Sequence, residues 1–247
     1  MFTPRVAMAS LSGESDAEWA IGGSEYAGAA FLGGIALDER TRTAARKLVS
    51  RDRTEFLPDD PIDFVDEQLA MLSDAPIRPG INVRSTTLSP VRTVAEVCRN
   101  HDAILEINAH CRQEEMCSTG AGQSLLRNPD RLCEQVRVAA ETGATVGVKA
   151  RTEVFGTDLP ELSRRIVDAG ADVLHVDAMD SEHVIGDIAA ATDCFLIANN
   201  GVRDEVTVTE YLEYGADAVS IGRPSDRPEV LSRVRSATAE WFTEVVA

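Results

Sequence analysis

The chain has 247 residues, 44% of them hydrophobic, and its 24 Lys+Arg against 41 Asp+Glu leave a formal charge of −17. That apolar content excludes a disordered chain, the length exceeds that of a disulfide-stapled miniprotein, and no run of about 18 apolar residues is present to span a membrane. The acids are dispersed and only Lys47 and Lys149 are lysines, which disfavours loose, charge-driven nucleic-acid binding and points to an acidic, salt-adapted surface.

Reading from the N-terminus, residues 1–10 carry neither a basic segment nor the apolar core of a secretory leader, so a cytoplasmic protein is expected. Short apolar or β-branched runs then alternate with helical periods of about 10 to 15 residues. Strands are predicted at residues 5–10, 29–36, 77–85, 103–109, 145–150, 173–178, 194–199 and 218–222, with amphipathic helices such as 129–142 and 158–169 between them. Residues 40–72 exceed the needs of one unit. Arg51-Asp52-Arg53, followed by Pro58 and Pro61, predicts an extra loop and helix within about 51–75 and no domain boundary.

Thr142-Gly143-Ala144, Ala169-Gly170-Ala171 and Tyr214-Gly215-Ala216 each set a helix-ending glycine before a strand. Eight parallel βα units close most naturally into a single-domain α/β fold, a (β/α)8 TIM barrel over residues 1–247, with the site at the carboxyl ends of the strands. From Arg227 onward the chain suffices for the last barrel helix.

The predicted strand ends are polar: Asn82 and Arg84, Glu106 and Asn108, Lys149 and Arg151, His175 and Asp177, Asn199-Asn200-Gly201, and Gly222-Arg223. Lys149 lies in an apolar run with Val146 and Val148. A lysine there forms a Schiff base, holds a phosphate or stabilises a reduced flavin; the structural alternative is an ion pair with Glu106. The turns at 199–201 and 222–223 lie where barrels bind phosphate through backbone N–H groups. Cys111, between His110 and Arg112, has an electropositive setting suited to an acid or nucleophile, or is simply packed. His110, Cys111 and Cys117 fit no standard zinc spacing, so no metal site is expected. Alternation directs His175 and Asp177 to one side, where they would pair. The five cysteines are odd in number and unpaired in spacing, so reduced thiols are expected, with Cys98, Cys133 and Cys194 in the core.

Ile104-Leu105-Glu106-Ile107-Asn108-Ala109-His110-Cys111, followed by Gly120-Ala121-Gly122-Gln123-Ser124-Leu125-Leu126, resembles the signature of the flavin-dependent tRNA-dihydrouridine synthases, and more nearly an archaeal branch related to them. The resemblance runs in order from Ala7-Met8-Ala9 to Gly222-Arg223. It implies an FMN oxidoreductase acting on a pyrimidine C=C bond, with NAD(P)H as reductant and uridine in tRNA as the leading substrate. Lys149 and Asn82 would face the flavin and His175 would lie near its ring. Asn199, Asn200, Gly201, Gly222 and Arg223 would surround the phosphate, with Ala7, Met8 and Asn108 completing the cofactor site. Cys111 would be the general acid beside Lys149 and His175. Three motifs depart from the family: His110-Cys111-Arg112 replaces Gly-Cys-Pro, His175-Val176-Asp177 replaces His-Gly-Arg, and Asn199-Asn200-Gly201 replaces Asn-Gly-Asp. The family's helical tRNA-holding domain is not expected here, since the residues from Arg227 onward are read as the final barrel helix. A basic face of Arg42, Arg46, Lys47, Arg51 and Arg53 beside the mouth would favour RNA. An enclosed pocket would favour a free small pyrimidine, as in dihydroorotate dehydrogenases. A third reading is a flavin-free barrel binding a phosphorylated metabolite as isomerase, lyase or sensor.

Overall fold

In the computed structural model, which describes residues 1–244, the eight predicted apolar runs are strands β1 (Val6–Met8), β2 (Ala29–Ala36), β3 (Arg78–Arg84), β4 (Ile104–Asn108), β5 (Thr145–Arg151), β6 (Val173–Asp177), β7 (Phe195–Asn199) and β8 (Ala218–Ile221). Each is parallel to its neighbours, and β1 pairs with both β2 and β8, closing the barrel. This is the (β/α)8 barrel anticipated from the alternation. The strands are shorter than predicted at most ends, most of all β1, whose expected residues 9–10 leave the ladder and turn across the mouth.

Helices α1 (Ala17–Gly23), α2 (Glu39–Val49), α3 (Pro61–Ala70), α4 (Leu88–Asn100), α5 (Glu114–Cys117), α6 (Pro129–Ala140), α7 (Leu159–Asp168), α8 (Val184–Ala191), α9 (Glu205–Glu213) and α10 (Pro228–Glu244) surround it. Five of the 41 acidic residues have a local purpose at their starts. Asp16, Asp38, Asp60, Asp158 and Asp204 each accept a backbone N–H from the first turn of their helix, satisfying donors that have no partner within the helix. Gly143, Gly170 and Gly215 leave α6, α7 and α9 at φ of 80°, 109° and 95°, the left-handed exit that glycine permits.

The long segment between β2 and β3 holds both α2 and α3, and the loop joining them returns to the barrel mouth. Thr54 Oγ1 donates to the Ser12 carbonyl at 3.0 Å, and Arg84 pairs with Glu55 at 2.6 Å with both side chains buried. No helix among the described residues is long and apolar enough to cross a membrane.

Side-chain alternation divides the barrel into layers. Outward residues pack on the helices in one large core. Inside, Phe2, Ala7, Ala29, Phe31, Ile104, Val173, Ile197 and Ala218 plug the amino end with an apolar cluster. Two residues further along β3, β4, β6 and β8, the interior turns polar.

Candidate active site at the barrel mouth

The deeper polar layer is Asn82, Glu106, His175 and Ser220, all fully buried. Glu106 is its hub: Asn82 Nδ2 donates to Oε2 at 2.5 Å and His175 Nδ1 bonds Oε1 at 2.6 Å. Burial works to raise the Glu106 carboxyl, but His175, Lys149 and Asn82 outweigh it and hold it below its ordinary value. Burial dominates at His175 and pushes it down despite Glu106. With Glu106 favoured as a carboxylate, His175 Nδ1 is placed to donate to Oε1, and its Nε2 lies 2.7 Å from the Ser220 hydroxyl.

Asn108 ties this layer to the mouth. Its amide donates to Asn82 Oδ1 at 2.8 Å, and its own Oδ1 accepts the backbone N–H groups of His110 and Cys111 at 3.1 and 2.9 Å. The loop after β4 thus hangs from a side chain rooted in the barrel. Gly122 closes the same loop, since a Cβ there would lie 2.3 Å from the Cys111 carbonyl oxygen.

Above lie two adjoining cavities. The first, about 460 Å³, is bordered by the ends of β1, β5, β6, β7 and β8. Arg112, Lys149, Arg151, Arg203 and Arg223 face it with Asp177 as the one carboxylate among its lining residues, an anion-attracting site in a chain of net −17. The second, about 650 Å³, shares Lys149, His110, Arg112 and Arg223 and extends under the α2–α3 loop past Arg53, Glu55, Asn108 and Cys111. Both volumes fall in the range of small-molecule sites, about 300–1,000 Å³.

Lys149 is buried yet has no hydrogen-bond or ion-pair partner among the described residues. Burial lowers its pKa, with Glu106 and Asp177 opposing. The ion pair with Glu106 does not form, because Asn82 and His175 occupy that carboxylate. At the β7 end, Asn200 and Gly201 both have positive φ, 101° and 68°, and no atom lies within 4 Å of where a Cβ would stand on Gly201 or Gly222. Asn200 is held in this unusual conformation by its amide on Asp177 Oδ1 at 2.9 Å and by Tyr211 Oη donating to its carbonyl at 2.9 Å.

Of the residues singled out from sequence, Lys149, Asn199, Asn200, Gly201, Gly222 and Arg223 meet around the first cavity, and Asn108, Cys111, Lys149 and Arg223 around the second. Four lie elsewhere. Ala7 belongs to the apolar plug and Met8 points outward against Gly23 of α1, because β1 ends at Met8; Ala9, Ser10 and Leu11 reach the mouth instead. Asn82 and His175 sit one layer below, committed to Glu106. His175 does not pair with Asp177, which binds His110 Nε2 at 2.5 Å. Cys111 packs beside Ala44, Leu48, Met116 and Ala121 while also lining the second cavity. Cys117 turns its thiol to the Cys111 carbonyl, and among the described residues no group of three or more His, Cys, Asp or Glu is arranged for a metal.

Of the basic face that would favour RNA, three members are committed locally: Arg42 donates to the Pro58 carbonyl, Arg46 pairs with Glu39 and Arg51 with Glu115. Sequence reasoning underrated Glu106, Ser220 and the His110–Asp177 contact. Alternation between Leu105 and Ile107, and between Val219 and Ile221, marked the first two as inward; nothing in the sequence marked the contact.

Comparison with known proteins adds the following. Residues 89–245 match the family described as dihydrouridine synthase (Dus). The whole chain is similar to an uncharacterized protein of Methanocaldococcus jannaschii, 26% identical over 254 residues that cover 98% of this chain and 93% of that one. A probable tRNA-dihydrouridine synthase of Treponema pallidum is 36% identical over 78 residues, 28% of this chain and 23% of that protein. Among solved structures, a chain of the tryptophan synthase complex of Pyrococcus furiosus superposes with a TM-score of 0.61 at 14% identity, covering 98% of this chain and all (100%) of that one. FabK of Thermotoga maritima gives 0.58 at 16% identity, covering 88% of this chain and 57% of that one. At such identities the two structures speak to the fold alone.

Proposed function

The chain belongs to the dihydrouridine synthase family, and from that premise we propose that it is an FMN-dependent oxidoreductase that reduces a pyrimidine C=C bond, with uridine in tRNA as the first substrate to consider. The observation that carries the reading is Lys149: a buried ammonium with no protein partner, facing a cavity ringed by arginines. Burial works against its charge, and an anionic ligand in the cavity would favour the ammonium and complete its surroundings.

The residues present fit FMN. The open turns at Asn200-Gly201 and Gly222-Arg223 leave room for a phosphate, Arg203 and Arg223 supply charge, and Lys149 is suited to hold negative charge on a reduced ring. Bound flavin supplies hydride to one carbon of the substrate and regains it from NAD(P)H. Asn108 holds the backbone of the His110–Cys111 loop at the side of the second cavity, and Cys111 is the residue that the family resemblance assigns as proton donor. Asn82 and His175 act from below, through Glu106 and Asn108, by fixing that loop.

A free pyrimidine is the second reading. It is favoured by the commitment of Arg42, Arg46 and Arg51 to local partners and by the net charge of −17, since RNA binding draws on clustered, unspent Lys and Arg. The test is to incubate FMN-reconstituted protein and NADPH with a uridine-containing tRNA transcript and, separately, with uracil. A two-hydrogen mass gain in the tRNA nucleosides supports the first reading, a gain in uracil the second, and a gain in neither contradicts the proposed activity.

A further inference from the structure

Two of the three motif departures from the family meet in space, at His110 and Asp177. His110 Nε2 lies 2.5 Å from Asp177 Oδ2, while Asp177 Oδ1 accepts the Met179 N–H at 3.2 Å and the Asn200 amide at 2.9 Å. The carboxylate is thus fixed by two donors before it meets the imidazole. His110 is fixed as well, because its backbone N–H is held by Asn108. Its side chain is 31% exposed and lines both cavities, whereas Cys111 lines only the second and packs into an apolar cluster.

We infer that His110, oriented by Asp177, is the proton-donating catalytic residue of this mouth; the inference rests on the proposed C=C reduction. The carboxylate fixes the ring so that Nε2–H points to Asp177, and Nδ1 has no bonded partner among the described residues. A histidine whose far nitrogen is held by a carboxylate is set in one tautomer, and its imidazolium is stabilised as it forms. During turnover His110 acts from its imidazolium form: hydride adds to one carbon and the π electrons form the second C–H bond with the proton that the imidazolium carries on Nδ1. The Nδ1–H bond electrons remain on the ring, which is left as the neutral Nε2–H tautomer, and a proton taken up from solvent reforms the imidazolium. The groups around the imidazole are Asp177 on β6 and Lys149 and Arg151 on β5, with Arg112 and Arg223 on the same cavity wall. Burial pushes His110 below its ordinary pKa, and the Asp177 bond offsets part of this.

The test has one arm that needs no flavin. Nitrogen-resolved imidazole NMR of the apo protein should read His110 as the Nε2–H tautomer at neutral pH, with its pKa below the ordinary ~6.5 and lowered further by Asp177→Asn. In the FMN-loaded protein with NADPH and a tRNA transcript or uracil, His110→Gln should lower kcat about 100-fold or more. It should also abolish the decline in rate as pH rises. An Nδ1–H tautomer, indifference of His110 to Asp177→Asn, or a His110→Gln enzyme with wild-type rate and pH profile overturns the inference. So does a pH limb that survives His110→Gln and vanishes in Cys111→Ser. If the protein takes up no FMN, the proposed function fails by itself and the NMR arm still decides the dyad.

Discussion

A fully buried carboxylate is tolerated only where its oxygens are occupied, and Glu106 meets that condition with one bond from Asn82 and one from His175. Glu106→Ala strands both partners and frees Asn108 from its support. The expected loss is about 3–5 kcal/mol of unfolding free energy by urea titration; a loss below about 1 kcal/mol would mean the layer is not cooperative. The same residues set a pH dependence. His175 and His110 are held below their ordinary pKa, so unfolded imidazoles take up protons that the native ones refuse, and stability falls as pH drops through ~6.5. Asp177, held at about 2, and Glu106, also lowered, continue the loss below the ordinary carboxylate range. Denaturation midpoints should decline from pH 7 to 5 and further towards 3; a midpoint that rises between 7 and 5 contradicts this sign. Lys149 was legible in the sequence because a lone lysine interrupts an apolar run. The role of Glu106 was not, since its partners come from β3 and β6 and are specified only when the barrel closes.

At the scale of elements, α2 is fastened twice by one residue. Asp38 Oδ1 accepts the Thr41 N–H at 3.0 Å as N-cap, and Oδ2 accepts from Ser85 Oγ at 2.8 Å and from the Thr86 backbone beyond β3. Asp38→Ala therefore removes a cap and an inter-element tie together. It should cost about 2 kcal/mol, the upper end of the range for caps; about 0.5 kcal/mol would show that the β3 contacts carry nothing. Strand centres were legible because a run buried on both faces reads as continuous apolar sequence. Strand ends were not, because residues 9–10 leave the ladder for the mouth and Ser85 leaves it to hold Asp38. The α2–α3 loop was visible as an insertion from Pro58 and Pro61, but its return to the barrel depends on the distant pairs Thr54–Ser12 and Glu55–Arg84.

For the whole molecule, a charge of −17 spread over an acidic surface repels itself, and salt shortens that repulsion from a range of about 10 Å at 0.1 M to about 3 Å at 1 M. The thermal midpoint should rise over that interval of sodium chloride, while a fall would assign the surface ion pairs more weight than the net repulsion. The barrel itself was legible from alternation and three glycine exits. The concentration of positive charge at one mouth was not, because Arg112, Lys149, Arg151, Arg203 and Arg223 are scattered along the chain and converge only at the carboxyl ends of the strands. That convergence is what would hold a flavin, and the absorption spectrum of protein reconstituted with FMN in high salt, beside Lys149→Ala, tests whether it does. Bound-flavin bands should resist gel filtration in the wild type and be lost, or no longer be reducible, in the variant. Folded wild-type protein that emerges colourless contradicts flavin binding and leaves a phosphate-binding barrel without flavin chemistry.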